Sequence, residues 1–342
     1  MPEVFLYNFL IILMKLVDKK LYNESLVALQ FLIPYVKSND SLTIQYLRAK
    51  SYYYLTLVAE KSNCYKEIIN ELQTAFRRAC LDMDEITQVT LINCIVRYFL
   101  LNNAVEQARN FLSKTKFHEN VSTHEDSRYL YYLGRINSIQ MNYSQAFIDL
   151  TNSMRKAPEK CGQGFKTIVQ KILIIVELLM GEVPDVKTFS NIKDLSSMKP
   201  YLELIKAVKQ GNLDTFKSVL TTYEKSFLKD NNFTLIQRLR HVVIKIGLRK
   251  INLSYSRISL KDISEKLKLE SEKEAEYIIA KAIRDGVFLA KINHDEKYVQ
   301  SMVRLNFTIR KLKIFTLLSN LRSLSRRESN FYTKFIMIPL RL

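Results

Sequence analysis

Histidines, cysteines and closely spaced carboxylates are the side chains from which a catalytic or metal site would be built, and this chain has few of them. His118, Glu119, His124, Glu125 and Asp126 fall close together and offer enough donors for a divalent cation. The spacing of the two histidines matches no common ligand motif, however, and a polar loop between helices accounts for the same run. His241 shares a helical face with Arg238, Arg240 and Lys245, which suits a structural histidine. Cys64, Cys80, Cys94 and Cys161 lack paired spacing and sit in apolar helical patterns, so buried free thiols in a reducing compartment are expected. The chain contains no Gly-rich phosphate loop, no G-x-S-x-G and no H-E-x-x-H. The expectation is a protein that is not an enzyme, with no catalytic, cofactor-binding or metal residues.

Charge is the next candidate for function. The net charge of +18 points toward nucleic acid. Its distribution weakens that reading: residues 302–342 carry nine Lys/Arg against Glu328 alone, and the remaining excess is spread over 300 residues. A diffuse basic surface binds polyanions without specificity, so no specific nucleic acid partner is expected. Val4 to Val17 is apolar, but it is short for a membrane span, Lys15 interrupts it, and no basic segment precedes it. A core helix whose covering neighbour is missing fits better, and no membrane partner is expected.

The elements that hold these residues are helices. Gly and Pro number 7 and 6 in 342 residues, about a third of the ~12% usual for the pair, which predicts few turns and few strand breaks. Apolar residues recur at helical spacing, with helices expected over 42–59, 86–101, 127–140, 201–210, 213–227 and 233–248. Within residues 130–158, Leu133-Gly134, Tyr143, Ala146, Leu150 and Pro158 fall on the spacing of one tetratricopeptide repeat. Small residues there let two antiparallel helices approach, and the proline closes the second. Weaker echoes at Tyr22-x-x-Ser25, Val105-x-x-Ala108 and Leu213-x-x-Phe216 come at irregular intervals, the mark of a diverged helix-pair solenoid. Pro184 and Pro200 bracket a polar excursion between helices.

Residues 253–301 have the order of a winged helix. A strand is expected at Arg257–Leu260, then a helix capped by Ser259, with Asp262 three residues on. A second helix opens on the Ser271-x-x-Glu274 box, buries Ala275, Ile278, Ile279 and Ala282, and ends at Gly286. Val287–Ile292 and Tyr298–Ser301 flank the turn Asn293-His294-Asp295-Glu296 and form the wing. As a DNA reader this second helix would enter the major groove. It carries Glu272, Glu274, Glu276 and Asp285 against Lys273, Lys281 and Arg284, and acids in its first turns would meet phosphates. A protein-binding winged helix is the better reading, its exposed strand edge pairing with a neighbour's strand. The alternative, a winged-helix nucleic-acid-binding protein, stays open at this point.

A helical-repeat array ending in a winged helix resembles the PCI-domain proteins of the proteasome lid, the COP9 signalosome and translation initiation factor 3. RYLYYLGRINSIQMNYSQAFIDLTNSMRKAP (128–158), GFKTIVQKILIIVELLMGEVPD (164–185), TLIQRLRHVVIKIGLRKINLSYSRISLKDISEKLKL (234–269) and AEYIIAKAIRDGVFLAKINHDEKYVQS (275–301) resemble the lid subunits of the 26S proteasome regulatory particle most closely. The implied fold is mainly α: a tetratricopeptide-like array over 1–160, then a PCI domain over 161–301, with helices at 161–252 and the winged helix at 253–301. The resemblance implies a noncatalytic scaffold in the cytoplasm and nucleus. It would sit in a hetero-oligomer with other PCI lid subunits and a small acidic disordered lid subunit, supporting ubiquitin-dependent degradation. It also implies that Tyr255, Ser256, Arg257, Ile258 and Ser259 form the winged-helix entry strand and assembly surface. After Ser301 the resemblance fades into a divergent basic tail, 302–342. That tail reads as a substitute bundle helix, as translation of an altered frame, or as a basic membrane-surface helix.

Overall fold

The computed structural model describes residues 2–38, 41–62, 64–158, 162–184, 195–269 and 271–302. Cys161, most of the polar excursion after Pro184 and nearly all of the basic tail lie outside them. The chain is mainly α, a helical-repeat array followed by a small three-stranded sheet within a winged helix. The helices are α1 (Pro2–Asp18), α2 (Tyr22–Ser38), α3 (Gln45–Ser62), α4 (Tyr65–Leu81), α5 (Glu85–Leu101), α6 (Val105–Lys114), α7 (Thr123–Ile139), α8 (Tyr143–Lys156), α9 (Gln163–Met180), α10 (Leu195–Gln210), α11 (Leu213–Lys229) and α12 (Phe233–Ser254). A 3-10 turn, Leu42–Ile44, leads into α3. The winged helix adds β1 (Arg257–Ser259), α13 (Leu260–Leu267), α14 (Glu272–Arg284), β2 (Ala290–Asn293) and β3 (Tyr298–Ser301).

Two compact units divide these elements. Of the described residues, the first comprises those up to Ile205 together with Tyr223–Leu239; the second comprises Lys206–Thr222 and those from Arg240 to Met302. In the first unit a continuous apolar core runs from Leu6 and Leu13 through Leu55, Leu72, Ile92 and Ile95 to Leu150, Ile172 and Val176. The tetratricopeptide signature is legible in the packing of α7 on α8. A Cβ on Gly134 would lie 2.7 Å from Leu150 Cγ and 3.3 Å from the Ala146 carbonyl oxygen, so the two backbones approach as only glycine permits. The pair is pinned by Ser127 and Ser153, each hydroxyl donating to the other residue's carbonyl at 3.0 and 2.7 Å. The weaker echoes are also real: Ser25 and Ala108 are fully buried at the fourth position of their helices, as Ala146 is, and Phe216 nearly so.

The expectation of few turns fails for an instructive reason. Lys20, Met83, Asn103, Met141 and Asn231 all adopt positive φ, each two residues before a helix begins, where glycine is the usual choice. The following amide closes the turn with a bond to a carbonyl five residues back, as in Asp84 to Ala79, Ala104 to Phe99, Asn142 to Asn137 and Asn232 to Phe227. Tight turns are therefore frequent without being glycine-marked.

Other boundaries shift. The run His124-Glu125-Asp126, expected as a link, is the first turn of α7, where carboxylates meet the positive end of the helix. Glu125 accepts from Asn93 Nδ2 at 2.7 Å and pairs with Arg128 at 2.7 Å; Asp126 pairs with Lys156 at 3.1 Å. The helix expected from Tyr201 starts at Leu195 and carries Pro200 inside it. Among the thiols, Cys94 is buried and pushed up to about 12 by desolvation, Cys64 is half-buried, and Cys80 is exposed, contrary to expectation.

Candidate assembly surface

The winged helix is built from its caps outward. Ser259 ends β1 and its hydroxyl accepts from the Asp262 amide at 3.1 Å, so strand hands over to helix within one residue. Leu260, expected as strand, is therefore the first residue of α13. Ser271 caps α14 in the same way, accepting from the Glu274 amide at 3.1 Å, a contact worth ~1 kcal/mol. Ala275, Ile279 and Ala282 turn inward, and Gly286 leaves the helix at φ 70°. Val287–Leu289, expected as strand, instead complete that exit, the Val287 amide bonding back to Ala282, and β2 starts at Ala290.

The sheet order is β1-β3-β2, antiparallel throughout, with Ile258 opposite Val299 and Ile292 opposite Val299 on its other side. Hydrogen-bonded pairs alternate along an antiparallel ladder. The Ser301 amide donates to Ser256 and the Leu260 amide to Lys297, at 2.8 and 2.9 Å. The bonded positions of β1 are thus 256, 258 and 260. The amide and carbonyl of Arg257 and the amide of Ser259 consequently face away from β3, along an edge unpaired among the described residues.

The five residues singled out from sequence are contiguous here but do different things. Ile258 is buried against the sheet core. Ser256 spends its carbonyl on β3. Arg257 lies over the Tyr298 ring, 3.5 Å from its centroid, and pairs with Glu296 at 3.0 Å, both side chains mostly exposed. Tyr255 accepts from Lys266 Nζ at 3.1 Å, a bond that raises the lysine pKa above its ordinary value. A shallow open depression joins Tyr255, Arg257, Ser259, Lys266, Glu296 and Tyr298. The last three were not foreseen: Glu296 and Tyr298 come to the strand through the β1–β3 pairing, in which Tyr298 sits diagonal to Arg257, and Lys266 reaches Tyr255 from α13.

Two of the α14 acids find partners on the wing. Glu272 and Glu276 turn toward the wing, where Lys297 lies 3.4 Å and His294 2.7 Å from their carboxylates. Lys245 bonds Asp285 at 3.0 Å and holds its carboxyl below the usual range. His241 is kept below the ordinary histidine pKa by burial first, then by Lys281, Arg240 and Lys245. His118 stands 3.5 Å from Glu85. Among the described residues no three His, Cys, Asp or Glu are grouped to hold a metal ion, and no helix is long and apolar enough to cross a membrane.

Comparison with known proteins matches these features to one family. The family model described as "PSMD3-like, N-terminal TPR repeats" matches residues 1–205, and the PCI domain model matches residues 220–302. The chain belongs to the PSMD3-like family. It is 41% identical over 300 residues to the 26S proteasome non-ATPase regulatory subunit 3 of Dictyostelium discoideum, covering 87% of this chain and 60% of the relative. It is 40% identical over 295 residues to homolog B of the same subunit in Arabidopsis thaliana, covering 85% of this chain and 60% of the relative. The chain thus spans about three fifths of the length of the curated relatives it matches.

Proposed function

We propose that this chain is a noncatalytic structural subunit of the 26S proteasome regulatory-particle lid, assembling through side-by-side PCI contacts and supporting ubiquitin-dependent protein degradation in cytoplasm and nucleus. The observation that carries the reading is the outward-facing edge of β1 at Arg257 and Ser259, in a chain of the PSMD3-like family. Three outward main-chain groups on one short strand suit pairing with a neighbour's strand, since such groups supply affinity without requiring a deep pocket. Tyr255, Ser256, Arg257, Ile258 and Ser259 form the proposed assembly surface, with Lys266, Glu296 and Tyr298 beside it.

On this reading the partners are other PCI-domain lid subunits in a hetero-oligomer, and a small acidic disordered lid subunit held by the basic helical array. The division at 160 and 301 marks the array, the PCI domain and the tail. Native affinity purification of the tagged chain tests the proposal: lid subunits should co-purify. Recovery of none overturns it, and recovery of COP9 signalosome or initiation factor 3 subunits assigns the chain to a different PCI assembly.

A further inference from the structure

We propose that the outward face of α14, with the adjoining turn of α12, is a second docking surface, and that its occupant is an acidic protein helix. The surface is a stripe. Lys273, Tyr277, Ala280, Lys281 and Arg284 fall within a narrow arc of the helix, opposite the buried Ala275, Ile279 and Ala282, and all five are exposed. Tyr277 is 72% exposed at mid-stripe, a large amphipathic side chain of the type that anchors protein interfaces. Toward the C-terminal end Lys281 and Arg284 are joined by Lys245 and Arg240 from α12, with Asp285 as the one carboxylate among them. His241 lies beside them, its pKa lowered by burial first and then by Lys281, Arg240 and Lys245.

Width decides the class of occupant. The stripe is one helix wide and, from Lys273 to Arg284, about 16 Å long at 1.5 Å per residue. Glu272 and Glu276 line one side of it, held by Lys297 and His294 of the wing. Glu274 lies on the other side by helical position, and Asp295 is exposed at the wing tip. A duplex laid along α14 would press phosphates against these acids. A partner helix with Asp or Glu at i, i+4 and i+7, and an apolar residue over Tyr277, matches the stripe. This surface lies on α14 and α12 rather than on the β1 edge, so it stands whether or not that edge assembles as proposed.

Fluorescence anisotropy on the full chain tests it. The probe is a labelled Ala-based helical peptide of about 18 residues with three Glu and one Leu on a single face. Its Glu→Gln counterpart and a duplex DNA of equal length are the comparisons, at physiological salt. The variants are Lys281→Glu with Arg284→Glu, and Tyr277→Ser, all at exposed positions. The basic residues after 302 contribute the same background to every variant, so differences isolate α14. The acidic peptide should bind, lose about tenfold in affinity with the double charge reversal, and lose about threefold or more with Tyr277→Ser. Absent peptide binding, equal binding of the Gln peptide, or an affinity unmoved by the charge reversal overturns the proposal. DNA binding that is tighter than peptide binding and is abolished by the charge reversal also overturns it, in favour of a nucleic-acid surface.

Discussion

Replacing Gly134 by alanine separates helix propensity from packing, because the two act in opposite directions. In an exposed helix the change would stabilise by ~1 kcal/mol. Here the new Cβ would stand 2.7 and 2.9 Å from Leu150 Cγ and Cδ2, and 3.3 Å from the Ala146 oxygen, against ~3.5–4.0 Å for comfortable carbon contacts. Leu150 and Ala146 are fully buried, so neither yields without moving α8. Overpacking of this kind costs ~1–3 kcal/mol, and an overlap near 1 Å belongs toward the upper end. The net expectation is a loss of ~1–2 kcal/mol, equivalent to roughly 5–30-fold faster amide exchange in α7 and α8. Hydrogen-exchange mass spectrometry reads this locally. Leu150→Ala removes the clashing atoms, so in that background Gly134→Ala should slow exchange instead, by up to the ~1 kcal/mol of propensity. The same sign of effect in both backgrounds would refute the reasoning.

Two further outcomes follow from buried and titrating charges. Asp84 is fully buried, caps α5 through the Thr87 amide at 3.1 Å, and lies 3.5 Å from the buried Arg48; Asp84→Ala should destabilise the first unit by ~3–5 kcal/mol, and Asp84→Asn, which keeps an acceptor for the cap, by less, as urea midpoints will reveal. NMR titration of His241 should give a pKa below the ordinary histidine value, and Lys281→Gln should recover only part of the shift because burial is its largest cause. With the folded pKa depressed, the unfolded chain binds the proton more readily. The penalty is absent above the ordinary histidine value and grows as pH falls from there toward the folded pKa.

Much of this architecture was legible where local chemistry is self-contained. The caps at Ser259 and Ser271 act within three residues, and the Gly134–Ala146–Leu150 spacing encodes a contact between sequential helices. Legibility ended where conformation is fixed by tertiary contacts. Lys20, Met83 and Met141 take a left-handed turn that their side chains do not advertise, because packing of the flanking helices overrides a backbone preference of ~1–2 kcal/mol, whereas Asn103 and Asn231 are of the residue type that adopts it most readily after glycine. Val287–Leu289 is apolar enough for a strand, yet follows Gly286 out of α14. Likewise, a residue count gives the net charge of α14 but not that Lys297 and His294 occupy two of its acids. The strand at Arg257–Ser259 was foreseen; which of its main-chain groups face outward became clear only from the register with β3.

The β1 edge is tested most directly by comparing Arg257→Pro with Arg257→Ala in co-assembly with PCI-domain lid subunits. Both lose the stacking on Tyr298 and the Glu296 pair, but only proline removes the outward amide, and proline is tolerated where a strand's amide does not serve its own sheet. The account predicts that Arg257→Ala incorporates and Arg257→Pro is depleted from the assembled lid. Equal incorporation of the two would contradict it.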